Sequence, residues 1–145
     1  MSTRSENAKC LLLHTRAEDA HDMAGTLATI HPEAVFEDQP VGLRLEGRQN
    51  ARKHYELWWN AFGVQTENAS LHWVNDDMAI GEADFVGTHK GSFLGIPATG
   101  LPIRFRFTVV VQFRDGLLSG ERFSYDLNDI LHQIGYPAFK VEHAA

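Results

Sequence analysis

Residues 103–114 and 117–126 form two alternating runs joined by Asp115-Gly116, and this pairing constrains the chain more than any other feature. Asp-Gly between alternating runs is a strong hairpin signal, because a tight two-residue turn needs positive φ at both positions. Such a loop sets Arg114 opposite Leu117, and side chains then alternate between the two faces. One face carries Phe105, Phe107, Val109, Val111 and Phe113 opposite Asp126, Ser124, Arg122, Gly120 and Leu118. The other carries Arg106, Thr108, Val110 and Gln112 opposite Tyr125, Phe123, Glu121 and Ser119. The first is the expected core face, so Asp126 and Arg122 are expected among phenylalanines.

A carboxylate in apolar surroundings loses hydration, and its pKa rises towards neutrality. Such a group can take and return a proton, which general acid–base catalysis requires. Asp126 is therefore the candidate catalytic acid. The competing reading is structural: Asp-Leu-Asn-Asp-Ile-Leu is also a helix entrance, with Asp126 or Asn128 as its cap. Arg122, on the same expected face, would meet an acid from elsewhere such as Asp38.

Upstream, residues 65–74 and 78–89 flank Asn75-Asp76-Asp77 and read as a second strand pair. With a tight turn there, His89 shares a face with Phe85, His72 and Val74, and Trp73, Ile80 and Val86 take the other. Both faces are partly apolar, so the pattern leaves the face of His89 open. Residues 47–62 form the clearest helix: Ala51, Tyr55, Trp58 and Phe62 recur at helical spacing, and Trp59 widens the stripe. These rings suit a helix-on-sheet core or the wall of a ligand pocket. Residues 5–30 read as helix, with Ala8, Leu11, Leu12 and Thr15 on one face, stopped by His31-Pro32. A short strand at 34–37 leads into a turn at Asp38-Gln39-Pro40, and a last helix at 127–134 stops at Gly135 with Pro137 beyond. Helices, then an antiparallel sheet, then a helix define an α+β class, in one domain over residues 1–145.

Composition narrows the function. The chain has 145 residues, 43% hydrophobic and 22% charged, with 13 basic residues against 19 acidic ones and a net charge of -6. A surface of that sign repels a phosphate backbone, so no nucleic-acid partner is expected. No apolar run approaches the length of a membrane span, and no membrane partner is expected. The polar N-terminus lacks an apolar signal core, and the single cysteine, Cys10, suits a reducing compartment; a cytoplasmic location is expected. Eight histidines invite a metal reading, but their spacing matches no ligand motif, so no metal site is expected. The glycine-rich stretch at 87–100 leads into a strand rather than a helix, which removes both the phosphate-loop and the dinucleotide-loop readings.

Three stretches, GTHKGSFLGIPATG (87–100), VVVQFRDG (109–116) and ERFSYDLNDILHQIG (121–135), stand downstream of AVFEDQP (34–40) and LEGRQNARKHYELWWNAF (45–62). Together they resemble the SnoaL-like polyketide cyclases of the nuclear transport factor 2-like superfamily over residues 35–135. The family's usual Asp-Pro appears here as Asp38-Gln39-Pro40. The resemblance implies a cone-shaped, curved antiparallel sheet with N-terminal helices enclosing a pocket for a small hydrophobic molecule. It implies a homodimer through the outer sheet face, where Phe123, Tyr125 and Val110 are expected. It also implies Asp126 as the acid–base residue and His89 as a hydrogen-bond donor to the substrate, with no cofactor. The expected reaction is an intramolecular aldol cyclisation of a hydrophobic carbonyl compound. Substrate contacts are expected from Phe36, Asp38, Tyr55, Trp58, Trp59, Phe93, Phe107 and Arg122. An isomerase or hydrolase using the same aspartate, or a non-catalytic ligand-binding or dimeric interaction domain, would share this fold.

Overall fold

A computed structural model describes residues 2–136 of the chain, and Pro137, expected just beyond the last helix, lies outside them. The chain opens with α1 (Arg4–Asp19), where Thr3 and Glu6 form a reciprocal capping box. The single helix expected over 5–30 is in fact two. His21 takes a positive φ of 52°, and Asp22 then caps α2 (Met23–Ala28) by accepting from the Gly25 amide. An aspartate that bonds the backbone ahead of it starts a new helix more readily than it continues an old one.

Strand β1 (Ile30–Asp38) extends well beyond the four residues expected. Pro32 lies in the stretch where its pairing shifts register, between Ile30 and Val35, and costs no ladder bond there. A short 3-10 turn over Gln39–Val41 leads to β2 (Leu43–Glu46), a strand too brief to read from the sequence. Helix α3 (Arg48–Phe62) is followed by β3 (Gln65–Asn75), β4 (Met78–Thr88), β5 (Pro102–Arg114), β6 (Leu117–Tyr125) and α4 (Leu127–Gln133). The six strands form one curved open sheet in the order β2-β1-β6-β5-β4-β3. Its ladders are antiparallel except β1 with β6, which is parallel and corrects the expected wholly antiparallel sheet.

The Asp115-Gly116 hairpin forms, and Arg114 faces Leu117 as expected. Two residues after Leu117 the register changes. Phe113 pairs with Leu118 but Gln112 pairs with Gly120, leaving Ser119 as one extra residue on β6. A bulge of this kind exchanges the faces of every side chain beyond it. Glu121, Phe123 and Tyr125 therefore turn to the concave face, while Arg122, Ser124 and Asp126 turn to solvent. This reverses the expected placement of all four sequence-singled residues: Arg122 and Asp126 are not inside, and Phe123 and Tyr125 are not outside. The bulge sits tight against β1, since a Cβ on Gly120 would lie 3.0 Å from the Val35 carbonyl.

The core lies between α3 and the concave face. Trp58 is its hub, with ring centroids of Phe93, Phe105 and Tyr125 within 5.3–5.5 Å. Phe36, Tyr55, Trp59 and Phe62 are buried around it. The glycine-rich stretch serves this packing. Gly87 and Gly91 bring the end of β4 against the last turn of α3, where a Cβ would meet the Phe62 and Asn60 carbonyl oxygens at 2.3 and 2.2 Å. Both amides after His89 donate to the Ala61 carbonyl, at 2.9 Å from Lys90 and 3.1 Å from Gly91. These bonds satisfy a helix-end acceptor that would otherwise be orphaned.

Candidate functional site

A cavity of about 470 Å³ lies between α1 and the sheet. Ala8, Leu11, Leu12 and Thr15, the apolar face expected on α1, form one wall. The opposite wall is Gly81 and Ala83 of β4, Phe107, Val109 and Val111 of β5, and Phe123 of β6. Small residues on β4 leave the space, and the larger rings of β5 and β6 line it. Ala69 and Leu71 of the edge strand β3 complete the rim beside Leu12.

Polar chemistry in this cavity is concentrated in His14, Glu18 and Glu121. Nε2 of His14 lies 3.1 Å from Glu121 Oε1 and 3.4 Å from Glu18 Oε2. The other ring nitrogen is spoken for. Thr29 spends its hydroxyl proton on the Thr26 carbonyl at 2.7 Å, so its oxygen accepts from His14 Nδ1–H at 2.8 Å. This bond fixes a proton on Nδ1 and turns Nε2 towards the two carboxylates. Burial alone would push the His14 pKa down, but hydrogen bonds and charge from Glu121 and Glu18 outweigh it and raise it to about 10. Burial also raises the Glu121 pKa, against the pull of His14. The pair is thus an imidazolium beside a carboxylate that is a stronger base than an exposed glutamate.

The residues expected at the site are distributed differently. Asp126 is exposed and caps α4, accepting from the Asp129 amide at 3.2 Å, which is the structural alternative the sequence offered. Arg122 is exposed on the outer face. Phe107 lines the cavity, whereas Phe36, Tyr55, Trp58, Trp59 and Phe93 pack in the core beside it. Asp38 is 1% exposed and sealed: Tyr125 Oη–H donates to it at 2.6 Å and Trp58 Nε1–H at 3.0 Å. Burial raises its pKa, against those two bonds. His54, 3.7 Å from the same carboxylate, is held down to about 3 by burial and by the nearby His14. His89 is fully buried on the inner side, its Nδ1 accepting from the Thr99 amide at 3.2 Å, and it packs on Phe62 rather than lining the cavity.

Sequence reasoning missed Glu121, His14 and Glu18. One signal for Glu121 was present: Leu118 has even parity, while Phe123 and Tyr125 have odd parity, and Gly120 lies between them. A glycine where apolar parity switches marks a bulge. His14 and Glu18 were within reach as an i,i+4 pair on α1. Among the described residues, no group of three or more His, Cys, Asp and Glu side chains is arranged to hold a metal ion.

Together, the curved sheet and the helices packed on its concave face define a small α+β domain with the ketosteroid isomerase-like fold. The chain belongs to the SnoaL-like polyketide cyclase family, whose model matches residues 8–134. A candidate polyketide cyclase from Xanthomonas campestris pv. campestris superposes with a TM-score of 0.83 at 16% identity, covering 92% of this chain and 99% of that one. AclR from Streptomyces galilaeus, described as a candidate hydroxylase, gives 0.77 at 20% identity over 92% of this chain and 87% of its own. A hypothetical protein with a ketosteroid isomerase-like fold from Catenulispora acidiphila, in complex with trimethylamine, gives 0.75 at 16% identity over 89% of this chain and 94% of that one. No curated protein sequence matches. No helix among the described residues is long and apolar enough to cross a membrane.

Proposed function

We propose that this protein is an enzyme that binds a small hydrophobic carbonyl compound in the α1–sheet cavity and acts on it by acid–base catalysis through Glu121 and His14. One observation carries this reading: a buried carboxylate and an imidazole nitrogen 3.1 Å apart in a mostly apolar cavity. Family membership favours intramolecular aldol ring closure. Glu121 removes a proton from the carbon next to a carbonyl, and the resulting enolate carbon attacks a second carbonyl carbon in the same molecule. His14 Nε2–H protonates the oxygen on which charge develops, and the proton on Glu121 returns to His14 across their hydrogen bond. Atoms and protons balance, and the pair is reset. An isomerase would share the first step and differ only in where the proton returns. The catalytic role inferred from the sequence for Asp126 passes in this reading to Glu121, the residue that the bulge turns inward.

Association as a homodimer is part of the same proposal, through the outer face where Ile80 pairs with Val110 across β4 and β5. Sedimentation of the protein and of Val110→Glu tests it; unchanged monomers in both would remove the dimer from the proposal.

The experiment is deuterium exchange. A panel of aromatic and alicyclic ketones and β-keto esters is incubated with the protein in D2O and followed by NMR. Exchange at the α-carbon is expected, lost in Glu121→Gln and kept in Asp126→Asn. Full activity in Glu121→Gln, or binding without any exchange across the panel, would overturn the reading.

A further inference from the structure

Tyr55 stands just behind the acid–base pair and belongs to neither cavity wall. It is 1% exposed, on α3, and its ring is held by Phe36, His54 and Trp59. Its hydroxyl oxygen lies 3.4 Å from His14 Nε2, the same nitrogen that meets Glu121 and Glu18. We propose that Tyr55 is a positioning residue for the His14 proton: its hydroxyl turns to donate to Nε2 when the imidazole has lost that proton while Glu18 and Glu121 are both ionised.

With the Nδ1 proton committed to Thr29, Nε2 is the only nitrogen of His14 that can release one. When it does so with both carboxylates ionised, its lone pair faces acceptors on α1 and β6 that repel it. Groups facing the ring from the packed elements are Glu18 of α1, Glu121 of β6, Thr29 beyond α2, and Tyr55 with the neighbouring His54 on α3. With both carboxylates ionised, the Tyr55 hydroxyl is the neutral donor among these groups within reach of Nε2. Burial, with the charges of Glu121 and Glu18, pushes the Tyr55 phenol well above its ordinary value, so it remains a donor across the working range. A rotation of one O–H bond is sufficient, with no change in packing. By stabilising the deprotonated imidazole, Tyr55 makes His14 a stronger acid than the two carboxylates would otherwise allow.

This inference rests on the role proposed for His14, but its test does not need a substrate. NMR titration of ring-labelled His14 in the wild type and in folded Tyr55→Phe should show the His14 pKa higher in the variant by about one pH unit, the size expected for one lost hydrogen bond. Where turnover is available, the high-pH limb of kcat/KM moves up by the same amount and the plateau falls by less than about tenfold, as a weaker acid with partial proton transfer requires. Trp59→Phe, which disturbs the same packing but leaves the hydroxyl, should move neither. A His14 pKa that is unchanged or lowered in Tyr55→Phe would overturn the proposal while leaving the Glu121–His14 reading intact; full exchange activity in both His14→Gln and Glu121→Gln would overturn that reading instead.

Discussion

Glu121 Oε1 lies 3.1 Å from His14 Nε2, joining the last strand of the sheet to the first helix of the chain. Neither residue forms its part of the site without the other's element in place. The cavity is closed on one side by α1, and α1 is tied to the sheet through this buried pair.

The first prediction separates the two acids near the end of β6. Glu121→Gln should lower any α-proton exchange by 10²–10⁴-fold, the usual range for removing a general base. Asp126→Ala should cost about 1 kcal/mol of stability through the lost cap of α4 and leave the exchange intact. Exchange assays and urea unfolding of both variants check the pair of outcomes.

A second prediction concerns pH. The folded His14 pKa is raised from 6.5 to about 10, so its contribution to stability is fully present below 6.5 and is lost as pH rises through 10. Glu121 contributes in the same sense: its raised pKa favours the folded state below its ordinary value of 4.5, and that contribution fades as pH climbs through the folded value. Urea unfolding between pH 6.5 and 10.5 should show falling stability, with a flatter profile in His14→Gln.

Asp38 is the third. Its carboxylate is the shared acceptor for Trp58 and Tyr125, and removal leaves two buried donors without a partner. Asp38→Ala should lose about 2–4 kcal/mol, and Asp38→Asn, which keeps one acceptor oxygen, should lose less. Chemical denaturation of the two variants ranks them; equal losses would show that the bonds to Asp38 contribute little.

Gly87 supplies a fourth prediction. A methyl group there would sit 2.3 Å from the Phe62 carbonyl oxygen, which is backbone and cannot swing aside. Gly87→Ala should therefore destabilise by about 2–4 kcal/mol, more than a glycine-to-alanine change costs at a free site. A melting temperature equal to that of the wild type would contradict the close approach of β4 to α3.

Ala83 tests the cavity itself. It is 4% exposed and faces α1 across the space. Ala83→Leu should keep the fold, at a cost of about 1–3 kcal/mol, while weakening ligand binding by projecting into the void. Calorimetry with any ligand found in the exchange screen measures it, and undiminished affinity would place the binding site elsewhere.

The sequence made the helices-then-sheet order legible because periodicity and turn chemistry are local. The stripe of Ala51, Tyr55, Trp58 and Phe62 and the Asp115-Gly116 turn both took their expected places. What escaped was set by non-local contact. The long β1 strand depends on its parallel pairing with β6, and no pattern within 30–38 announces a partner so distant. Counting inward from the turn placed Asp126 on the wrong face, because Ser119 adds one residue that simple alternation does not allow for. Phe36, Trp58 and Phe93 were expected against a ligand and instead pack among other buried rings, Trp58 on Phe93 and Phe36 on Tyr55. Aromatic stripes look alike whether they line a void or fill one, and the small residues Gly81 and Ala83 decide where the void falls.

The extra residue at Ser119 also bears on how such a site is gained or lost. Beyond it, a single insertion or deletion interchanges what the strand offers to solvent and what it offers to a guest molecule, with the backbone ladder largely preserved. Chemistry can therefore move between neighbouring side chains of this strand by a change in chain length, without any substitution. An acid's distance from the turn in one member of the fold is then a poor guide to its counterpart in another. The side of the sheet it occupies is the quantity to compare.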